Sequence, residues 1–322
     1  MDHGTDHPVP PPLRPDERLT TTEFDELFDR LRRWDDDGTD VDERGALAGL
    51  SGQDRLRALA AATTGRAVSL SLPLNTVAGV DNPKPALHHM VDLGDVEEPE
   101  PSGHKDFIGI DYHGKATTHL DALCHIGYRG HLYGGRPSRD AYRSSGTSWA
   151  AVTQLADGLV LRGVLLDLPV VRREAWLAPG TAVHAADLLA AEEALGVRVG
   201  PGDAVLLRSG HGARRAAHGW WDSGAASAGW HVDAMPVLAD RGIAVLGGDG
   251  DSDVRPSPVA GVHSPIHALA LTALGIPLLD NLDLEPLAAA CAEQGQYTFT
   301  LFVAPLVVPR GTGSPVNPIA VL

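Results

Sequence analysis

The chain has 322 residues, 43% hydrophobic and 21% charged, a globular composition long enough to bury a sizeable core without disulfides. Its formal net charge of −16 opposes electrostatic binding to nucleic acid or to an anionic membrane surface. No window approaches the roughly eighteen unbroken apolar residues of a spanning helix, and Cys124 and Cys291 alone make no disulfide framework. The first residues, Met-Asp-His-Gly-Thr-Asp-His-Pro, lack the basic start and apolar run of a signal peptide, so a reducing cytoplasm is expected.

In chain order, residues 1–18 are proline-rich and polar and read as a disordered tail. Phe24, Leu27, Phe28, Leu31 and Trp34 fall at helical spacing, which predicts a first helix capped by Thr22 and ended by Asp35-Asp36-Asp37-Gly38. A short helix near Gln53–Ala62 and a strand at Ala67–Leu72 follow. From Pro73 to His104 the chain is rich in Pro, Asn, Asp and Glu. Such a long loop reads either as a lid or pocket wall, with Asn82, Pro83, His88, His89 and Met90 as contact residues, or as a solvated surface loop. The second half alternates. Strands are expected at 160–168, 204–209, 243–247, 276–279 and 297–303, and helices at 185–195, 233–241, 265–274 and 284–290. This alternation argues for an α/β layer architecture. Residues 19–322 are expected to form one domain, with 19–65 as an N-terminal helical extension. No internal repeat and no glycine-rich phosphate loop is present.

The chemistry concentrates in His113-Gly-Lys-Ala-Thr-Thr-His119-Leu-Asp121-Ala-Leu-Cys-His125. Imidazole and carboxylate hold zinc, manganese or iron in hydrolytic sites. On an extended segment, side chains two apart share a side, so His119 and Asp121 can grip one ion together. His125 lies far enough along to serve as a proton carrier beside it. The bland reading is a set of hydrogen-bonded polar residues lining a strand and turn, at odds with so many polar groups among small and apolar neighbours.

The segment resembles the signature of the metal-dependent cyclase family, which includes bacterial kynurenine formamidase, isatin hydrolase and the zinc-dependent trans-dienelactone hydrolase. Short members read His-x-Gly-Thr-His-x-Asp-x-Pro-x-His. Thr118-His119-Leu120-Asp121 and His125 stand at the family spacing. Ala122-Leu123-Cys124 lacks the proline, and Lys115 stands where the first family histidine is expected. His113 can serve in its place if the chain bulges by two residues, as the His-Gly start of a longer branch suggests. Gly247-Gly248-Asp249, Pro265-Ile266-His267 and Gly275-Ile276-Pro277-Leu278-Leu279-Asp280-Asn281 resemble the family's C-terminal half. The ending Gly311-Thr312-Gly313-Ser314-Pro315-Val316-Asn317-Pro318 resembles the longer branch. The resemblance implies a swivelling β/β/α fold with a mixed sheet and flanking helices. It implies His267 and Asp280 as further ligands, one or two divalent ions, zinc or manganese, and a homo-oligomer, dimer or tetramer. Asp280 replaces a family glutamate, so coordination distance or metal number can differ.

Other residues carry weaker signals. Ser264-Pro265 caps a helix that places His267 in its first turn, and His263 is either a pocket residue or a loop histidine. Tyr112, Tyr128 and Tyr133 flank the cluster and Trp220-Trp221 lies in a later loop; they suit a planar or apolar ligand, or ordinary packing. Asp249, Asp251 and Asp253 lack the glycine and glutamate of a calcium loop. Asp249 is expected at the site's edge and the other two in turns. Cys124 reads as a buried core thiol, and so does Cys291. His211, His218 and His231 are read as having no paired carboxylate at ligand spacing and receive no role.

The expected activity is metal-assisted hydrolysis of an amide or lactone of a small molecule, with His125 moving the proton from water to the leaving group. Cyclisation or dehydration at the same site, a non-catalytic metal-containing binding protein, and a thiol enzyme using Cys124 are the alternatives.

Overall fold

The computed structural model describes residues 18–35, 41–94 and 101–322. The expected tail, apart from Arg18, and Asp36-Asp37-Gly38 lie outside these residues. Helix α1 (Thr21–Leu31) buries Phe24, Leu27, Phe28 and Leu31, the stripe its periodicity marks. Its cap is Thr20, two residues earlier than expected. Glu23 at the third helical position returns a carboxylate to Thr20 N, closing a capping box. Ser51 and Asp54 repeat that device at α2 (Gly52–Leu59).

Strand β1 (Ala67–Ser69) follows. The long loop contains structure that its composition hides: β2 (Leu87–Asp92) and β3 (Lys105–Gly109) pair antiparallel as a separate ribbon. Both strands have mostly exposed side chains, so no alternation of polar and apolar residues marks them. His88, His89 and Met90 lie on this ribbon, whereas Asn82 is buried and ties Asn75 to Val77.

Then come β4 (His119–Asp121), α3 (Ser138–Ala141), and the short pair β5 (Tyr142–Arg143) and β6 (Gly146–Thr147). The alternating half supplies β7 (Leu159–Asp167), α4 (Leu168–Arg172), β8 (Ala182–Val183), α5 (Ala185–Leu195) and β9 (Ala204–Arg208). It continues with α6 (His211–His218), β10 (Gly229–Trp230), α7 (Ala234–Asp240) and β11 (Val245–Gly248). Helix α8 (Pro265–His267) runs into a π-helical stretch, Ala268–Leu274. The chain ends with β12 (Leu278–Asp280), α9 (Glu285–Gln294), β13 (Thr298–Val303), β14 (Gly313–Pro315) and β15 (Ile319–Val321). Helix α6 occupies a stretch read as loop, because its alanines, arginines and histidines give no apolar stripe.

Among the described residues, nine strands form one mixed sheet in the order β1-β15-β13-β7-β9-β11-β12-β4-β14. Its centre, β7-β9-β11-β12, is parallel, and the flanks are antiparallel. Strand β9 is buried along its whole length, as expected of a parallel strand covered on both faces. Val164, Leu165, Leu166, Leu206, Leu246, Leu278 and Leu279 fill the centre without solvent exposure. Each such side chain contributes about 1.5–3 kcal/mol by leaving water.

Two features of this sheet position the chemistry. The parallel strands end together, so Asp167, Arg208, the Asp249–Asp253 segment and Asp280 gather at one edge. Strand β4 inserts antiparallel beside β12, with Asp280 opposite His119 and Leu278 opposite Asp121. The register thus brings the central histidine motif to the strand carrying Asp280.

Candidate metal centre

Asp121 stands at the middle of the site and is fully buried. His113 Nδ1 is 2.8 Å from its Oδ1, His119 Nε2 3.4 Å and His125 Nε2 3.9 Å. His267 Nε2 lies 3.6 Å from Asp121 Oδ2 and 3.4 Å from Asp280 Oδ2. Two sets of potential ligand atoms include Asp121: His113, His119 and Asp121 on one side, and Asp121, His267 and Asp280 on the other; a third, Asp251, Asp253 and His267, lies on the Nδ1 side of His267, where Asp253 takes the hydrogen bond. Asp121 belongs to the first two, one oxygen facing each.

The far side of each candidate ligand is held by another group, the arrangement usual around metal ligands. His119 Nδ1 is 2.9 Å from Thr117 O. A carbonyl only accepts, so the proton sits on Nδ1 and the Nε2 lone pair faces Asp121. His267 Nδ1 donates to Asp253 Oδ2 at 2.6 Å, leaving Nε2 free toward Asp121 and Asp280. Ser252 Oγ donates to Asp280 Oδ1 at 2.6 Å. His113 Nε2 meets Thr312 Oγ1 at 2.9 Å. Asn281, in the left-handed region at φ 56°, donates from Nδ2 to Gly114 O and Thr117 O, pinning the loop that carries His113. Gly313 makes room: a Cβ there would strike Leu120 O and stand 2.9 Å from His113 Cε1.

The test of the donor set is what remains unpaired. Asp121 Oδ1, Asp121 Oδ2 and His113 Nδ1 are buried and make no hydrogen bond. His113 Nδ1 and Asp121 Oδ1 are close but misaligned for a proton between them. A buried carboxylate left without donors is costly, and divalent positive charge held by these residues would remove that cost. Electrostatics agree. Burial pushes the Asp121 carboxyl up, yet the imidazoles of His119 and His125 hold it well below the usual carboxylate range. Burial pushes His267 down, and Asp121, Asp253 and Asp280 override it, holding the imidazole well above its usual value. Three carboxylates around one imidazole call for positive charge.

His125 differs from the candidate ligands. Its ring stacks on His113 at 3.8 Å between centroids and 8° between planes. Its ring makes no hydrogen bond with another described residue. Burial pushes it down to about 4. Lys115, at the position of the first family histidine, bonds Asp251 through its ammonium, on the Nδ1 side of His267.

The structure scatters the expected substrate contacts. Tyr112 stays, its ring 4.4 Å from that of His113 and its hydroxyl donating to Gly313 O. Tyr128 is turned elsewhere: its hydroxyl donates to Asp25 and its ring packs on Phe24 and Phe28. Tyr133 is buried against Gly275. His263 is exposed and meets Arg255 Nη1 at 3.0 Å. Trp220 is half exposed and carries the Arg215 guanidinium on its face.

Asp251 and Asp253 are not turn residues at the surface. Asp253 orients His267, and Asp251 receives Lys115 and Arg255. Their alternation with Asp249 was the available signal, since residues two apart on extended chain share a side. Asp249 accepts from the backbone N–H groups of Ser209, Gly210 and His211 and from Ser209 Oγ, fixing the start of α6. Cys124 is wholly buried, and burial pushes its thiol up to about 12.

A second histidine–aspartate group lies apart. His184 Nδ1 is 2.8 Å and His231 Nδ1 3.2 Å from Asp233 Oδ2. His231-Val232-Asp233 repeats the His-x-Asp spacing of residues 119–121.

Among the described residues, no helix is long and apolar enough to cross a membrane. A search of curated proteins finds no match. The crystal structure of a novel cyclase is similar over 92% of this chain and 99% of its own, with 26% identity and a TM-score of 0.79. Isatin hydrolase A from Ralstonia solanacearum matches 79% of this chain and 91% of its own at 22% identity and a TM-score of 0.56. An isatin hydrolase bound to the product analogue thioisatinate matches 85% of this chain and 99% of its own at 20% identity and 0.57. The two hydrolases share the fold. The Cyclase family model, described as "Putative cyclase", matches residues 68–252, more than half of the sequence, and the chain belongs to that cyclase family.

Proposed function

We propose that the protein is a metal-dependent hydrolase that cleaves an amide or lactone bond of a small molecule. The observation that carries this reading is the group of buried, unpaired atoms, His113 Nδ1 and both oxygens of Asp121, facing two ligand sets. The nitrogen and oxygen donors fit zinc first and manganese second. His113, His119 and Asp121 would hold one ion, and Asp121, His267 and Asp280 a second.

A bound divalent cation polarises a substrate carbonyl and lowers the pKa of water from about 16 toward 7. The remaining work belongs to side chains. Thr117 O and Asp253 keep the protons of His119 and His267 on Nδ1. Ser252 holds one oxygen of Asp280 and so orients the other. His125, its ring stacked on His113 and without a hydrogen-bond partner among the described residues, is placed to take a proton from the nucleophile and return it to the leaving nitrogen or oxygen. The reading includes a cytoplasmic homo-oligomer, dimer or tetramer, which the exposed Leu87, Val91, Phe107 and Ile108 support.

His125→Ala tests the division of labour. Hydrolysis of a panel of aryl amides and lactones is expected to fall by about 10²–10⁴-fold, with metal content unchanged. Loss of metal in step with activity would make His125 a ligand and end its role as proton carrier.

A further inference from the structure

Helix α6 carries His211, Arg214, Arg215 and His218 at positions that share one face. Other partly buried arginines of the chain are paired with acids: Arg162 with Asp203, Arg208 with Asp167 and Glu285, Arg241 with Glu192, and Arg255 with Asp251. Arg214 and Arg215 are partly buried too, yet neither meets a carboxylate at ion-pair distance among the described residues. Arg214 Nη1 is buried without any hydrogen bond. Asp81 influences Arg215 electrostatically but makes no ion pair with it, and its own Oδ1 is buried and unpaired. Two adjacent guanidiniums without an acid partner stand out in a chain of 26 basic and 42 acidic residues.

Indoles line these cations. The Arg214 guanidinium lies 4.0 Å from the Trp221 ring centre, and that of Arg215 3.2 Å from Trp220. The His211 ring is 4.4 Å from Trp221. Cation–π contact satisfies the faces of the guanidiniums but not their N–H groups.

The same face begins beside the metal centre. Asp249 at the end of β11 holds the N–H groups of Gly210 and His211 at 2.7 and 2.9 Å. A Cβ on Gly250 would stand 3.1 Å from His211 Nδ1. Gly250 accepts from Asn281 N, next to Asp280. It leads into Asp251, whose Oδ1 is 3.7 Å from His267 Nδ1.

We propose that Arg214 and Arg215, with Trp220 and Trp221, form a carboxylate-binding subsite, and that the substrate is an organic acid with a flat apolar body. The guanidinium fork matches a carboxylate in two parallel hydrogen bonds, and the indoles offer stacking surface to the body. The start of α6 borders the metal centre through Gly250 and Asp251, so an acid held on this face is a candidate substrate of that centre. The assignment rests on the hydrolase reading for its second half only; anion binding by α6 stands apart from it.

The test uses the full chain, as isolated and after chelation, with benzoate and its neutral isostere benzamide as probes, followed by calorimetry and tryptophan fluorescence. Benzoate is expected to bind about tenfold or more tighter than benzamide in both forms. Arg214→Gln and Arg215→Gln are expected to reduce benzoate to the benzamide level while leaving benzamide within about twofold. Arg214→Lys and Arg215→Lys, which keep the charge but not the fork, are expected to fall between, and they replace any glutamine variant whose melting curve shows it unfolded. No preference for benzoate in the parent protein, or a preference kept in both arginine positions, overturns the subsite. A preference that disappears on chelation and survives both substitutions places the carboxylate on the metal instead. Absence of bound metal in the isolated protein would end the hydrolase reading without touching the arginine result.

Discussion

Two of the chain's three His-x-Asp pairs, His119/Asp121 and His231/Asp233, gather a further histidine away from the exposed ribbon that carries His104/Asp106, and they end in opposite states. At residues 231–233, Asp233 Oδ1 accepts from Ala185 N at 3.1 Å and Oδ2 from His184. At residues 119–121, Asp121 is deeper, and neither of its oxygens has a donor. Ligand spacing is the same in both. What separates them is whether the lone pairs are already satisfied by the protein. The first group is a hydrogen-bonded joint between the starts of α5 and α7; the second leaves its carboxylate oxygens open, as the proposed metal centre requires.

The largest effect expected from this contrast is that of Asp121→Ala. It removes the residue common to both ligand sets, so metal content should fall to zero and hydrolysis to the uncatalysed background. Full metal retention there would show that Asp121 is not a ligand. Asp253→Asn should act one step removed. It disturbs the partner that orients His267 and is expected to weaken metal affinity by about 10–100-fold, read by competition with a chelator. Unchanged affinity would mean His267 needs no such partner.

The other group should respond in stability and not in metal content. Asp233→Asn removes charge-assisted hydrogen bonds and is expected to cost about 1–3 kcal/mol in denaturant unfolding. Its pH dependence has a definite sign. The Asp233 hydrogen bond raises His184, so that contribution is complete below the unfolded imidazole value near 6.5 and is lost as pH rises through the raised folded value. Burial raises Asp233, but the hydrogen bond from His184 and the adjacent His231 imidazole prevail and depress it. That contribution is complete above about 4 and is lost as pH falls through the depressed value. The stability difference between parent and Asp233→Asn should therefore be greatest between about pH 4 and 6.5. A difference that does not vary with pH would show that the joint is not ionic.

The smallest effect belongs to Cys124. Wholly buried, with its thiol pushed up to about 12, it should resist iodoacetamide, and Cys124→Ala should keep activity within about twofold. Inactivation by alkylation would revive the thiol reading.

Much of this contrast is legible in the sequence, and its limits are physical. The strands at 160–168 and 204–209 appear within a residue of β7 and β9, because long apolar runs leave little choice. His119, Asp121 and His125 stand out because three polar residues interrupt small and apolar neighbours. The ribbon β2–β3 escapes detection because its side chains are mostly exposed. Helix α6 escapes because its informative face is cationic. Spacing marks His231 and Asp233 as clearly as His119 and Asp121; only the partners supplied by Ala185 and His184, distant in sequence, tell the pairs apart. Tyr128 and Tyr133 flank the motif in sequence, yet α1 and Gly275 draw them away.

The most direct measurement is elemental analysis per subunit of the protein purified without added metal, beside His119→Ala and His231→Ala. One or two equivalents of zinc or manganese are expected in the parent and in His231→Ala, and a loss in His119→Ala. No metal in the parent, with none regained on titration, or a loss caused by His231→Ala and not by His119→Ala, would contradict the account.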